Sequence, residues 1–277
     1  MATRQTRRTF LHKTAALAGA SAGAALWPAP HVLADPNPGS KLGVAVVGAD
    51  GMGGYSVGVA LSERLVAVAD VDDGTIANVM KDAQGKAHHL KAFSDYRKML
   101  DECHKDVDAV LIATPDHNHA PAAIRAIRLG KATFCQKPLA YNISECYALA
   151  KAAKECNVAT QMGNQGHCSE QIRRVVECIW AGAVGNVVET HTILGRNFGG
   201  SGGRPASKPV PKGLHWDEWL GPAPYRDYHD GLHPFSWRSW RDFGTGTIGD
   251  MACHHLDAPF WALKINEAKQ FTVECLK

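Results

Sequence analysis

Apolar positions along the first half of the chain fall into short unbroken runs, each followed by a polar turn and a helix-compatible stretch. "KLGVAVV" is the first run; it passes through a glycine-rich turn into residues that suit a helix. "RLVAVADVD" is the second and closes in acids, and "KAFSDYRKMLDE" reads as a short strand and a helix. "VDAVLIATPDHNHA" is a buried strand ending in a polar turn, with "PAAIRAIRLG" as the following helix and Gly130 as its stop. "KATFCQKPLA", the helix "NISECYALAKAAKECN" and the strand "VATQMGNQG" complete the series. Strands that are apolar on both faces and alternate with helices predict a doubly wound parallel sheet, an α/β domain over residues 41–165.

The pattern changes near residue 166. A helix, "SEQIRRVVECIWAGAVG", leads into "NVVETHTILG", which alternates like a half-buried strand. A Gly/Ser/Pro loop follows, then a Trp- and Pro-rich stretch to about residue 242, and "AKQFTVECLK" near the end reads as another strand. Residues 166–277 are therefore expected to form a second, α+β domain. Two strands and a few helices cannot close a sheet, so its open sheet is expected to be incomplete in this chain.

The amino terminus changes the charge picture. Residues 1–34 run from a basic start containing Arg7 and Arg8 in "TRRTFL", through a weakly apolar stretch, to small residues ending at Ala34. That order predicts an export signal of the twin-arginine type and hence a periplasmic protein. The apolar stretch is too short and interrupted to span a membrane, so no stable membrane association is expected. The whole chain carries a formal charge of +3, and removing the four bases of residues 1–34 leaves about −1. A near-neutral mature chain has no general electrostatic footprint for nucleic acid. The eight cysteines form no Cys-x-x-Cys pair, and a protein folded before export is expected to keep mostly free, buried thiols.

The first glycine turn carries candidate chemistry. Gly48 and Gly53 occupy outer positions of a dinucleotide fingerprint, with Asp50, Gly51 and Met52 between them and Asp50 in place of the middle glycine. Asp70 closes the second strand 22 residues after Gly48, where an acid bonds the adenosine ribose. A carboxylate there repels a 2′-phosphate, so Asp70, helped by Asp72 and Asp73, favours NAD, with NADP possible. "GDMACHHLD" at 249–257 sets Asp250 and His254 four apart, on one face if the segment is helical. An acid/base pair, or a metal site with His255, Asp257, His117 and His119, are both open from these residues alone.

Five stretches in order, "GADGMGG", "ATPDHNH", "CQKPLA", "GNQGH" and "WRSWRDFGTGTIGDMACHHLD", resemble the Gfo/Idh/MocA oxidoreductases from about residue 41 to the end. The resemblance implies an N-terminal Rossmann domain and a C-terminal domain with a broad open sheet that also builds a homo-oligomer. It places Thr114, Pro115 and His119 at the nicotinamide side of the cleft. Lys137 and Pro138 match a Glu-Lys-Pro motif in which Gln136 replaces the acid, which leaves the support of Lys137 open. Asp250 and His254 match an Asp-x-x-x-His motif. The implied catalytic set is His254 as base, Lys137 as electrophilic partner and Asp250 as the group that orients His254. The implied activity is NAD(P)-dependent oxidation of a sugar hydroxyl, without a metal.

The periplasm, where export would place this protein, has no supply of free NAD. The cofactor would therefore stay bound between turnovers, either for sugar oxidation or for a transient oxidation that drives glycoside hydrolysis or elimination. A non-catalytic sugar-binding protein or inactive fragment is the remaining class. Trp216, Trp219, Trp237 and Trp240 suit either a sugar-stacking platform or a core. His167 is a further candidate for facing the substrate.

Overall fold

The computed structural model describes residues 41–85, 89–198 and 203–275, so the expected signal at 1–34 lies outside the described residues. Six strands form one sheet: β1 (Gly43–Val47), β2 (Arg64–Ala69), β3 (Lys91–Phe93), β4 (Ala109–Ile112), β5 (Ala132–Gln136) and β6 (Thr160–Gly163). Their order is β3-β2-β1-β4-β5-β6, and every pair is parallel. This is the doubly wound α/β domain the apolar runs predict. Strand β1 shows why the runs are unbroken. Val44 and Val46 enter one core with Val57, Leu61 and Leu65, while Ala45 and Val47 enter the other with Met99, Leu100 and Ile112. A pleated strand buried on both faces has no polar positions to offer.

Helices α1 (Gly53–Ser62), α2 (Asp73–Gly85), α3 (Tyr96–Cys103), α4 (Asp116–Arg128) and α5 (Ile143–Cys156) connect the strands. The Asn142 side chain and Glu145 close a capping box at the start of α5. The strand order reverses between β1 and β4, which opens a crevice at their carboxyl ends.

Helix α4 differs from the sequence expectation. It begins at Asp116 rather than Pro121, and its first turn, Asp116-His117-Asn118-His119, is buried. Polar residues read as a turn when their partners are unknown; here the partners are backbone groups and Thr245 of the second domain.

The second domain contains α6 (Glu170–Trp180), α7 (Trp216–Leu220), α8 (Gly246–His255) and α9 (Asp257–Ala262). The segments 186–195 and 268–275 carry no strand among the described residues, against expectation. A strand needs a neighbouring strand to pair with, and among the described residues neither segment pairs with one. Val188 and Ile193 stand exposed at 95% and 84%, as alternating side chains without a facing sheet must.

A compact cluster of Leu214, Trp216, Trp219, Tyr228, Leu232, Trp237 and Phe243 fills the contact with the first domain. Trp216 and Trp219 stack at 4.6 Å, and Trp219 packs on Phe243. Trp240 packs against the same cluster with the Arg226 guanidinium 4.0 Å over its ring. All four tryptophans pack in or against this cluster, and Trp219 and Trp237 also line the cleft. The thiols are more exposed than expected: Cys103 and Cys135 are buried, but Cys168 and Cys178 are free and exposed.

Candidate active site

The cleft lies between the carboxyl ends of the parallel strands and the second domain, and encloses about 470 Å³. Its floor is the turn after β1. Gly48 has a φ of +78°, and a Cβ there would sit 2.7 Å from the Ala113 carbonyl oxygen. A Cβ on Gly53 would sit 2.2 Å from the Gly48 carbonyl oxygen, so that glycine packs the helix onto the turn. Gly51, at φ +54°, has open space where its Cβ would be, and lines the cleft with Asp50 and Met52. These are the three duties a dinucleotide turn asks of glycine, with the open one shifted to Gly51. Helix α1 starts here, its amino end toward the cleft, where the macrodipole favours an anion.

Asp70 follows β2 directly. One oxygen accepts the Ala49 N–H at 2.7 Å and the other accepts the Asp72 N–H at 3.0 Å. Burial pushes its carboxyl above the usual range, against the pull of those two backbone bonds. Asp72 and Asp73 turn elsewhere: Asp72 accepts the Gly74 and Thr75 N–H groups, and Asp73 pairs with His215 at 2.9 Å. Only Asp70 of the three acids lines the cleft.

Thr114 and Pro115 form the wall beyond β4, and the Thr114 hydroxyl is buried without a partner. His119 lies in the wall, 1% exposed, with both ring nitrogens on backbone carbonyls. It presents no free ring nitrogen to a ligand, so its ring packs the cleft wall through the Thr114 and Pro138 carbonyls. Gln136 is buried with its amide oxygen unpartnered. Such orphaned polar atoms in a cleft call for a ligand. The glycine cradle, Asp70 and the two orphans together fit a dinucleotide.

Lys137 lies at the far end. Its Nζ donates to Asp250 Oδ1 and to the Asp250 carbonyl, both at 2.8 Å, across the domain boundary. Arg238 Nε adds a longer bond to the same carboxylate oxygen at 3.3 Å. The acid that Gln136 fails to supply therefore comes from 113 residues away.

His254 sits one turn beyond Asp250 on α8, half-buried, just outside the cleft wall. Its ring makes no hydrogen bond to Asp250 among the described residues. The orienting role expected of Asp250 is thus directed at Lys137, because an ammonium and a guanidinium hold a carboxylate better than a neutral imidazole does. Burial first, then the Lys137 charge, holds the His254 pKa below its ordinary value. A neutral imidazole is the form a general base requires.

Among the described residues no group of three His, Cys, Asp or Glu side chains is arranged to hold a metal. Burial raises the Cys253 thiol, which keeps it from acting as a thiolate. His167 instead pairs with Asp257 at 2.8 Å and packs on Trp261.

Sequence reasoning missed the adenosine end of the wall. Ser94 to Arg97 line it, with Asp95 capping α3 and gripping Arg97 through both oxygens. The signal was available: in an open α/β sheet the turns after successive strands face one crevice. The contributions of Glu218, His233 and Arg238 depend on the domain contact and had no such signal.

Residues 42–164 match an oxidoreductase family described as having an NAD-binding Rossmann fold, and residues 166–275 match the C-terminal alpha/beta domain of the same family. The chain is 28% identical over 165 residues to levoglucosan dehydrogenase of Pseudarthrobacter phenanthrenivorans, covering 59% of this chain and 34% of the relative. It is 27% identical over 159 residues to inositol 2-dehydrogenase 2 of Saccharopolyspora erythraea, covering 57% and 44%. The matched region spans less than half the length of either relative. Among solved structures, GenD2 from gentamicin A biosynthesis in complex with NAD superposes at a TM-score of 0.54 with 23% identity, covering 81% of this chain and 54% of that one. That likeness concerns the fold.

Proposed function

Because the chain belongs to the Gfo/Idh/MocA oxidoreductase family, with an NAD-binding Rossmann domain at its amino-terminal side, we propose that it oxidises a hydroxyl of a sugar or cyclitol and keeps its NAD bound between turnovers. The observation that carries this is the Lys137–Asp250 pair, set at the end of the glycine-lined cleft and drawn from both domains. NAD would be held by the Gly48–Met52 turn, by Asp70 at a ribose and by Thr114 and Gln136, and when bound it supplies the acceptor for hydride.

The chain's residues handle the proton and the oxygen. His254, neutral, accepts the hydroxyl proton. Lys137 donates to the same oxygen and stabilises its developing negative charge. Asp250 aims Lys137 through its carboxylate and its carbonyl, both 2.8 Å from Nζ. The sugar relatives support the substrate class, since levoglucosan and inositol are both ring polyols with secondary hydroxyls.

The test is mass spectrometry of released dinucleotide from the purified, denatured protein, followed by titration of NAD and NADP. Asp70→Ala is expected to weaken both cofactors, since Ala49 N–H loses its acceptor, and to weaken NAD more, by about tenfold if one charge-assisted ribose bond worth roughly 1.4 kcal/mol is lost. Equal losses would remove the ribose contact.

Retention of the cofactor rests on export through residues 1–34. Arg7→Lys together with Arg8→Lys is expected to leave precursor in the cytoplasm, measured by fractionation. Unchanged export would remove the twin-arginine route and with it the reason for holding NAD. A transient oxidation leading to glycoside cleavage uses the same residues. Release of the leaving group with no net NADH would distinguish it.

A further inference from the structure

His119, 1% exposed, is a group one would least expect to carry charge, yet its surroundings demand it. Its Nδ1 lies 2.7 Å from the Pro138 carbonyl oxygen and its Nε2 lies 2.8 Å from the Thr114 carbonyl oxygen. A carbonyl oxygen only accepts. A neutral imidazole has one N–H, so one of these short contacts would set two lone pairs against each other.

His117, two residues away, makes the contrast. Its Nδ1 faces the Phe243 carbonyl and its Nε2 faces the Trp219 carbonyl, but Asn118 Nδ2 reaches both that nitrogen and that carbonyl, at 3.1 Å each. Asn118 supplies the missing hydrogen, and His117 is satisfied as a neutral ring, its pKa lowered to about 4 by burial. His119 has no side-chain amide in that place; the side chain that reaches its ring is Cys135. The Cys135 thiol beside it is aimed at the Leu139 carbonyl at 3.8 Å.

We propose that His119 is an imidazolium at neutral pH that clamps the Thr114 turn to the Lys137-Pro138 turn, and so is a positioning residue for Lys137. The titratable groups facing it are Asp116 from its own helix and the Cys135 side chain from β5, with His117 as a neutral neighbour. Asp116 is buried and holds Thr245 through its N–H and hydroxyl, at 3.0 and 2.7 Å. It supplies a nearby negative counterpart without touching the ring's own acceptors. Burial alone would lower the His119 pKa; Cys135 and Asp116, with the bond to Pro138, raise it to about 9. The charge is local glue. One charge-assisted N–H bond holds the Pro138 carbonyl that follows Lys137 and the other holds the Thr114 carbonyl, and Lys137 must meet Asp250 across the domain boundary within a hydrogen-bond length.

The test reads the protons directly. In the whole chain labelled with [15N]histidine, imidazole correlation spectra are recorded between about pH 6 and 8, where an ordinary histidine loses its proton. One ring is expected to keep protons on both nitrogens throughout, protected from exchange, with contacts to Thr114 and Pro138 that assign it without a variant. A single protonated nitrogen on that ring near neutral pH overturns the proposal.

This arm is independent of the sugar-oxidation reading on which the positioning role rests. For that role, His119→Asn is assayed with NAD and myo-inositol as probes. A drop in kcat of roughly tenfold to hundredfold, with KM nearly unchanged, is expected from a misplaced Lys137. Unchanged kcat with the doubly protonated ring present overturns the positioning role. No turnover by the unsubstituted protein, with the ring still doubly protonated, counts against the sugar-oxidation reading and leaves the clamp in place.

Discussion

His254→Ala slows hydride transfer by about two to four orders of magnitude, the share a positioned general base contributes, while NAD affinity stays nearly constant because His254 lies outside the cleft wall. Single-turnover formation of NADH measures it. The pH profile gives the same residue a second signature. Burial and Lys137 depress the His254 pKa, so the reactive neutral form predominates at neutral pH. Activity then falls as pH drops through that pKa, with the acid limb below about 6.5, the ordinary histidine value.

Lys137→Ala is expected to cost a similar factor. Asp250→Asn should cost nearly as much. Its carboxylate serves Lys137 at 2.8 Å and Arg238 at 3.3 Å, and without the charge two cations face each other in a half-dry cleft. If His254→Ala turns over at the full rate, the base is another group. If Asp250→Asn is far milder than Lys137→Ala, the pair is not what aims the lysine.

Phe243→Ala destabilises the protein by about 3–5 kcal/mol, the cost of removing a fully enclosed aromatic side chain. Phe243 is 0% exposed and sits between Trp219 and the ring of His117, at 4.7 and 5.2 Å. It also joins the domains through its backbone, because its carbonyl accepts the His117 N–H at 3.3 Å. Denaturant midpoints at constant slope read the loss. A loss below about 1 kcal/mol would mean the domain contact closes over the gap, as well-packed interiors rarely do. The expected secondary effect is a weaker Lys137–Asp250 pair, since that bond spans the same contact.

The apolar runs determined the first domain almost completely. Continuous burial on both faces of β1, β2 and β4 can be satisfied only by helices on either side of a parallel sheet, so a local pattern implied a global arrangement. The glycine turn and Asp70 were legible for the same reason: φ above zero and close backbone approach leave a mark on residue type at one position. The start of α4 was not legible, since Asp116, His117, Asn118 and His119 look like a solvated turn until Thr245, Phe243 and Trp219 are placed against them.

The strands expected at 186–195 and 268–275 show the converse limit. Alternation records which face a segment would bury, but a strand forms only where a neighbour supplies its hydrogen bonds. The choice between platform and core for Trp216, Trp219 and Trp237 also depended on neighbours from elsewhere in the chain. The candidate cleft divides along the same line. Sequence spacing put Asp250 and His254 on one face of a helix and was right about the face. Only the tertiary structure decided which side chain Asp250 serves, because a carboxylate turns to the strongest donors within reach. Those donors are Lys137 and Arg238, brought to it by the packing of two domains rather than by the four-residue step of one helix.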